Sequence, residues 1–459
     1  MKLAMLGGGG FRTPLVYAAL LADRAGGVTE VVLQDPDRTH LDAMGHVLDQ
    51  TTAGALDAPR VSVTTELDRA LEGADFVFSA VRVGGLEARV ADERVALDLG
   101  LLGQETTGPG GIAYGLRTIP VAIRIAERVR AVAPQAWVIN FTNPAGMITE
   151  AMQSVLGDRA VGICDTPITM AKRVARLLGL GNAPVEMDYV GLNHLGWLRG
   201  LRHEGVDVLP RLLGDDALLG ATEEGQLFGL DWLRTLGSVP NEYLYYYYFA
   251  REAIAAIRAG GATRGEFLRE QQGRFYDAVA AEPRRARELW VATRQEREET
   301  YMAAEHAGRP RGGEEGVADV GGYEGVALAL MRAIARDEPA SMILNVRNGS
   351  TVAGLPEDAV VEVPVTVDAS GPVASAVSPP DLHQRGLMEQ VKAVDRLTIE
   401  AATTGSVTAA EKAFGLHPLV DSAAVARQLV AAYRQRIPEV DAVLGGRPAV
   451  TGAAPSRRS

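Results

Sequence analysis

The only cysteine in the 459-residue chain stands where a thiol could do chemistry. Cys164 follows an apolar run, residues 160–163, that is typical of a buried strand, and a helical pattern opens after Pro167. Such a turn lies at the carboxyl edge of a parallel sheet and near a helix N-terminus. There the pKa of a thiol can fall, so the thiolate can act as a nucleophile or a metal ligand. A lone cysteine is more often a small buried hydrophobic residue, so both interpretations stay open here.

A histidine follows 30 residues after the cysteine, in the stretch Asn-His-Leu-Gly-Trp at 193–197. Taken alone, His194 would also be interpreted as a structural residue. Thiolate and imidazole are both ligands of divalent transition metals. Because the same chain opens with a glycine-rich nucleotide loop, the pair favours a functional site.

The N-terminus has the pattern strand, glycine turn, helix. A short apolar run at residues 2–6 precedes four glycines, and a second strand pattern ends at an aspartate. Glycines let backbone amides approach a pyrophosphate at the helix N-terminus, and an acid after the second strand binds ribose hydroxyls, which favours NAD over NADP. Arginine stands where the third glycine is usual. The predicted cofactor-binding residues are Gly7, Gly9, Gly10, Phe11, Arg12 and Asp35.

Three further loops carry groups suited to an anionic or hydroxylated ligand. Arg82 precedes two glycines at the end of an apolar run, and Arg264 closes a glycine-rich turn. Either guanidinium could hold a phosphate, or could be a solvated loop charge. Asn143 ends another strand pattern, and the polar, glycine-rich loop 103–111 is long enough to lie over a ligand.

Tyrosines cluster after Pro240, where five of the chain's twelve fall within residues 243–248. On a helix such a run covers every face, so most of these rings are expected to pack in the core. One phenol could still be a working group.

Length and composition bound the remaining possibilities. A chain of this length predicts two domains, and 46 basic against 58 acidic residues give a net charge of −12. This balance argues against nucleic-acid and anionic-membrane partners. A single cysteine permits no internal disulfide, and no signal peptide or apolar span is evident, so we expect a cytoplasmic protein.

The chain pattern also predicts boundaries. We expect an NAD-binding domain over 1–190, an α+β domain over 191–444 and a disordered tail over 445–459. Residues 360–365 are predicted to form an edge strand because they contain Pro364.

Taken together, the motifs resemble glycoside hydrolase family 4, the NAD- and divalent-metal-dependent 6-phosphoglycosidases, and most closely its 6-phospho-β-glucosidases. The resemblance extends over residues 1 to about 430. It implies a fold of class α/β, with a Rossmann-like (lactate/malate dehydrogenase-like) domain followed by an α+β C-terminal domain. The stretches that carry it are LGGGGFRTP (6–14), RVGG (82–85), GQETTGPGG (103–111), FTNPAG (141–146), CDTP (164–167), NHLGW (193–197) and the tyrosine cluster.

The resemblance also implies a reaction. NAD oxidises C3 of the sugar, a base removes the C2 proton, the aglycone leaves by elimination, water adds and NADH reduces C3 again. Cys164 and His194 would be the ligands of a divalent metal, which the family suggests is Mn²⁺, although these ligands would also suit Zn²⁺. Tyr243 is the implied base, with Tyr245 or Tyr247 as alternatives. The implied substrate-binding residues are Arg82, Asn143, Asn193 and Arg264.

Asp165 distinguishes two versions of this function. An aspartate after the cysteine resembles the family's 6-phospho-α-glucosidases, where it acts as general acid, whereas the stretches 193–197 and 11–14 resemble the β enzymes. The expected substrate is a phosphorylated disaccharide or an aryl-glucoside 6-phosphate, and the expected assembly is a homodimer or homotetramer.

Two other classes of function share the same N-terminal half. A plain NAD-dependent 2-hydroxy acid dehydrogenase would give Cys164 no role and would accumulate NADH. A sugar- or nucleotide-sensing module would use the cysteine and the tyrosines only for packing.

Overall fold

A computed structural model describes residues 1–23, 27–52, 55, 57–181, 183–300 and 322–446. The predicted disordered tail therefore lies outside the described residues from residue 447 onward. No helix among those described is long and apolar enough to cross a membrane.

The first half of the chain alternates strands with helices, as its apolar runs predict. Its strands are β1 (Lys2–Leu6), β2 (Glu30–Gln34), β3 (Arg60–Thr64), β4 (Phe76–Ser79), β5 (Trp137–Asn140) and β6 (Ala160–Gly162). Its helices are α1 (Thr13–Ala22), α2 (Arg38–Thr51), α3 (Leu67–Leu71), α4 (Gly85–Asp98), α5 (Pro109–Val132), α6 (Ala145–Leu156) and α7 (Thr166–Leu177).

These strands form a parallel sheet in the order β3-β2-β1-β4-β5-β6. This is the strand order of the doubly wound dinucleotide-binding fold, in which ligands bind outside the carboxyl ends of the strands. The prediction of a Rossmann-like N-terminal half is confirmed.

The second half mixes helices with antiparallel strands. Its strands are β7 (Glu186–Leu192), β8 (Leu195–His203), β9 (Val206–Asp207), β10 (Val239–Pro240), β11 (Ala340–Arg347), β12 (Val360–Asp368) and β13 (Gly371–Ala374). Its helices are α8 (Leu209–Gly214), α9 (Asp216–Gly220), α10 (Glu223–Phe228), α11 (Leu230–Leu236), α12 (Tyr245–Tyr248), α13 (Ala250–Ala259), α14 (Arg264–Ala281), α15 (Ala286–Glu299), α16 (Tyr323–Arg336), α17 (Leu382–Thr404), α18 (Val407–Leu416), α19 (Ala423–Arg436) and α20 (Pro438–Leu444).

The two halves share one continuous sheet. Strand β11 pairs antiparallel with β6, and β12, β7, β8 and β10 continue the sheet from there. Helices α17 to α20 cover one face against α4 and α5 of the first half. The predicted domain boundary at residue 190 falls inside β7, and the division into two domains stays a prediction.

The prediction of an edge strand at residues 360–365 is wrong. Strand β12 pairs with β11 on one side and with β7 and then β13 on the other. The carbonyl of Pro364 accepts from the Ser375 amide at 2.9 Å, on the β13 side. In a strand the N–H and C=O of one residue point to the same side. Pro364 therefore lacks its N–H on the side of β12 that faces β7 and β13, at the point where the neighbouring strand changes from one to the other. No hydrogen bond to β11 is lost.

A buried ion cluster ties helix α6 to helix α17. The Lys392 ammonium lies 2.9 Å from Glu150 and 3.2 Å from Asp395, and the Arg396 guanidinium lies 3.0 Å from Glu150. Glu150 also accepts from the Val360 amide at 2.8 Å. Since Lys392 is 2% exposed, loss of its charge would leave Asp395 without this buried cation and Glu150 with Arg396 alone.

Lys392→Met keeps the stem of this side chain and removes its charge. We expect the free energy of unfolding to fall by about 3 kcal/mol, the lower end for breaking a buried pair, because Arg396 still neutralises Glu150. Urea unfolding followed by circular dichroism measures it. Lys412→Met, at an exposed position on α18, is the control and should change stability by less than about 0.5 kcal/mol. Equal unfolding midpoints for the two variants would contradict the role given to the cluster.

Candidate active site

A cleft of about 2220 Å³ lies at the carboxyl ends of the parallel strands. Five of the six parallel strands reach it through the residue that follows: Gly7 after β1, Asp35 after β2, Ala80 after β4, Phe141 after β5 and Ile163 after β6. Of the predicted site residues, only Gly9 is outside its lining. Those that line it are Gly7, Gly10, Phe11, Arg12, Asp35, Arg82, Asn143, Cys164, Asp165, Asn193, His194, Tyr243 and Arg264.

The glycine turn has the geometry that a dinucleotide requires. Gly7 has φ +76, and a Cβ there would lie 2.5 Å from the Ala80 carbonyl oxygen. The Gly10 amide donates to the Gly7 carbonyl at 2.9 Å, and the Gly9 amide donates to Asp35 at 3.3 Å. Helix α1 begins at Thr13, directly after the turn. The backbone can therefore approach a pyrophosphate, with Asp35 placed for ribose, so these residues fit NAD.

An arginine cluster, defined here as Arg12, Arg82, Arg89, Arg264 and Arg297, lines one part of the cleft. Glu105 bridges two of them, 2.6 Å from Arg82 and 2.8 Å from Arg89. These two cations hold the pKa of Glu105 down at about 2 although burial opposes them. Arg264 donates to the carbonyl of Arg297 at 2.9 Å, which brings α14 and α15 together.

Arg89 and Arg297 are the members of this cluster that sequence reasoning missed. Arg297 lies in the charge-rich helix α15. Burial and the four other arginines of the cluster lower its pKa well below the ordinary value. Because arginine stays protonated in proteins, this shift means that positive charge is crowded in the cleft. An anion there would relieve the crowding.

The Cys164 thiol lies at the predicted strand-to-helix turn, between β6 and α7, and is buried. The pKa of a thiol can fall at such a turn, but here the surroundings have the opposite effect. Burial first, and then the carboxyls of Glu362 and Asp165, raise the pKa of Cys164 well above its usual value. A protonated thiol is a poor nucleophile, whereas a metal ion deprotonates a coordinating thiol outright. The environment therefore fits a metal ligand better than a free nucleophile.

His194 occupies the two-residue turn between β7 and β8. Its φ is +62, an uncommon value for a residue other than glycine. Its ring stacks on that of Tyr243 with centroids 3.7 Å apart and planes 1° apart. Burial lowers the pKa of His194 to about 4, so the ring is neutral near pH 7, the state in which imidazole binds metals.

The donor set fits a metal with open coordination positions. Within the described ranges, no group of three or more His, Cys, Asp and Glu residues is placed to hold a metal ion. Cys164 and His194 would then supply two ligands and leave the other positions to substrate or water, as catalytic sites require.

The tyrosine cluster is divided by the fold. Tyr243 and Tyr246 line the cleft, whereas Tyr245 and Tyr247, the alternatives raised from the sequence, do not. Tyr243 lies in the 3₁₀ turn Glu242–Leu244, and the side-chain oxygen of the N-cap residue Asn241 accepts from its amide at 3.0 Å. Of the three candidate phenols, Tyr243 is the one beside the His194 ring.

Asn193 is held by a buried carboxyl that sequence reasoning also missed. Glu362, on β12, accepts from Asn193 at 3.2 Å, from Tyr189 at 2.9 Å and from Asn345 at 3.0 Å. Burial raises the pKa of Glu362 to about 7. A charged residue inside the apolar run around 360–365 was the signal that could have found it.

Fold and cleft together define a dinucleotide-binding α/β protein whose site contains a cysteine, a histidine and a cluster of arginines. The model of the family 4 glycosyl hydrolases matches residues 2–180, and that of the family's C-terminal domain matches residues 189–420. The chain belongs to glycosyl hydrolase family 4.

Individual relatives agree with this membership. A Bacillus subtilis protein named "Probable 6-phospho-beta-glucosidase" is 32% identical, over 94% of this chain and 95% of its own. A 6-phospho-alpha-glucosidase of Leptotrichia buccalis is 30% identical, over 94% and 96%. The structure of the Thermotoga maritima 6-phospho-beta glucosidase with manganese, NAD⁺ and glucose-6-phosphate superposes with a TM-score of 0.80 at 26% identity, over 96% of this chain and 99% of that one.

Arg297→Met removes one charge from the arginine cluster. We expect the melting temperature of the ligand-free protein not to fall, because like-charge repulsion is relieved. The affinity for inorganic phosphate should drop about 10- to 100-fold, since a hydrogen bond to a charged group contributes about 1.5–3 kcal/mol. Thermal shifts over a phosphate titration measure both. Arg287→Met, at an exposed position of the same helix and outside the cleft, should keep the wild-type response. An unchanged phosphate affinity in Arg297→Met would exclude the cluster as the anion site.

Proposed function

We propose that this chain is an NAD- and Mn²⁺-dependent 6-phospho-β-glucosidase. The observation that carries the proposal is a single cleft lined by a dinucleotide turn, the Cys164–His194 pair and the arginine cluster. Family 4 membership, and a neighbour solved with manganese, NAD⁺ and glucose-6-phosphate, support it. Assembly as a homodimer or homotetramer stays a prediction.

The residues divide the work by their chemistry. Cys164 and His194 hold the metal, which when bound supplies Lewis-acid stabilisation of negative charge on the sugar oxygens. The glycine turn and Asp35 hold NAD, which when bound accepts and returns a hydride at C3. Neither group changes over the full reaction, because oxidation at C3 is reversed after the aglycone has left.

The phosphate is assigned to the arginine cluster. A 6-phosphate carries close to two negative charges, and Arg82 and Arg264 present guanidinium groups to the cleft. Glu105 and Glu93 neutralise part of the cluster. Asn143 and Asn193 offer amide groups to the sugar hydroxyls.

Tyr243 is proposed as the base that removes the C2 proton. Its ring is stacked on that of His194, in the cleft that Cys164 also lines. Positive charge in the same cleft lowers the cost of forming a phenolate. Tyr246 is the other cleft tyrosine of the cluster.

A 6-phospho-α-glucosidase is the second candidate. Asp165 lines the cleft beside Cys164 at the start of α7, and its side chain makes no capping bond to the helix. A carboxyl in that place could protonate a leaving aglycone as general acid. Relatives of both anomeric types match the chain at similar identity. The β assignment rests on the stretches 193–197 and 11–14.

Dehydrogenase and sensing functions fit less well. Both leave the Cys164–His194 pair without a role, and the family models match nearly the whole chain. A dehydrogenase would also release NADH, which gives the simplest experimental distinction.

The deciding experiment supplies p-nitrophenyl 6-phospho-β-glucoside or its α anomer, with NAD and Mn²⁺. We expect nitrophenol release from the β anomer, arrest by EDTA and no accumulation of NADH. Cys164→Ser should abolish turnover while NAD binding, measured by fluorescence titration, stays near wild type. More than about a tenth of wild-type activity in that variant, a barrier change below about 1.4 kcal/mol, would exclude the thiolate as a ligand. Faster release from the α anomer, lost in Asp165→Asn, would establish the second candidate instead.

Tyr243→Phe tests the base. In D₂O the wild-type product should carry deuterium at C2, because the proton leaves before the C1–O1 bond breaks. The variant keeps the ring stack, so its melting temperature should change little, while kcat and C2 exchange fall by about 10²–10⁴. NMR of the product measures the exchange. Tyr245→Phe and Tyr246→Phe are the matched controls, and loss of exchange in one of these with normal exchange in Tyr243→Phe would move the role to that tyrosine.

A further inference from the structure

We propose that Gln104 and Thr106 are positioning residues that fix the tautomer of His194, so that Nδ1 carries the proton and the Nε2 lone pair is free for the metal. The inference rests on the proposed metal site. It assigns a task to the loop at 103–111, which the proposed function otherwise uses only through Glu105.

Two backbone donors determine the orientation of the Gln104 side-chain amide. Its Oε1 accepts from the backbone amides of Thr106 and Thr107, each at 2.6 Å. Only the oxygen of the side-chain amide can accept two N–H donors. The atom that faces Thr106 is therefore an acceptor.

The Thr106 hydroxyl connects Gln104 to His194. Its Oγ1 lies 3.0 Å from Gln104 Oε1 and 3.1 Å from His194 Nδ1. A hydroxyl has one proton, and Gln104 Oε1 can only accept it. Towards His194 the hydroxyl is thus an acceptor, and Nδ1 is the donor. Nε2 is then the ring nitrogen whose lone pair is left for a metal.

Close packing prevents the loop from rearranging. A Cβ at Gly110 would lie 2.1 Å from the Gln104 carbonyl oxygen, and one at Gly111 would lie 2.4 Å from that of Thr106. The first turn of α5 therefore presses directly on the backbone of both positioning residues. The histidine ring is fixed from its other side by the stack on Tyr243.

Such a partner matters to a metal site in two ways. It excludes the tautomer whose Nε2 carries a proton, and it raises the basicity of the ligating nitrogen. Removing a partner of this kind typically weakens metal binding about 10- to 100-fold. A purely structural threonine would not change the tautomer or the metal affinity in this coordinated way.

The first arm of the test uses metal-free wild-type protein with ¹⁵N-labelled histidine. Two-bond ¹H–¹⁵N correlation spectra report the tautomer of each ring, and the His194 signals are those missing in His194→Asn. We expect the Nδ1–H form. An Nε2–H form would overturn the proposal, whatever the protein binds.

The second arm measures Mn²⁺ affinity by electron paramagnetic resonance. Thr106→Val should weaken binding about 10- to 100-fold, and Thr106→Ser, which restores the hydroxyl, should recover it. Thr107→Val makes the same substitution at the next residue and keeps the hydrogen bond from that residue's backbone amide to Gln104. This variant should bind Mn²⁺ like the wild type. Normal affinity in Thr106→Val, alongside loss in Cys164→Ser, would overturn the positioning role and leave the metal site standing. No Mn²⁺ binding by wild type would instead refute the proposed function, and the spectra of the first arm would still decide the tautomer.

Discussion

The close approach of β6 and β11 at Gly162 is the contact on which the site depends. A Cβ at this residue would lie 2.4 Å from Thr149 Oγ1 and 2.8 Å from the Asn345 Cβ, so only glycine lets the two strands pair. This pairing joins the parallel half of the sheet to the antiparallel half. Cys164 lies two residues after β6, and His194 lies two residues after β7, which is the third strand on from β6. Each half therefore contributes one of the two proposed metal ligands, and neither half alone contains the pair.

Two buried acidic groups, the Glu362 carboxyl and the Cys164 thiol, lie close to this joint. Glu362 crosses it by accepting hydrogen bonds from Asn193, Tyr189 and Asn345, and burial raises its pKa to about 7. The pKa of the Cys164 thiol is raised by burial and by that carboxyl. Elsewhere in the cleft the arginine cluster crowds positive charge together, although Glu105 and Glu93 neutralise part of it. One cleft thus contains a region that favours a cation and a region that favours an anion, which suits a metal and a phosphorylated sugar bound together.

Sequence patterns predicted the features that local rules determine. Strand ends of a parallel sheet face one edge, so Gly7, Arg82, Asn143 and Cys164 were placed together correctly. The missed residues depend on distant packing: Arg297 reaches the cleft because α15 packs beside α14, and Glu362 is buried because β12 lies inside the sheet. The edge-strand prediction from Pro364 was wrong for the same reason. The local sequence pattern does not show that the neighbour of β12 changes from β7 to β13 along the strand. The tautomer of His194 needed atomic contacts with a loop about 90 residues earlier, which spacing alone does not give.

The strained turn at His194 connects these features. A residue other than glycine at φ +62 costs of order 1–3 kcal/mol, and a glycine would form the same turn at less cost. The histidine is therefore explained by its ring and not by the turn. The positive φ directs that ring between the Tyr243 face and the Thr106 hydroxyl, which fix its plane and its proton. Crowded guanidinium groups and a strained backbone each destabilise the ligand-free protein. Such locally unfavourable features are expected together in a cleft that is preorganised to bind ligands.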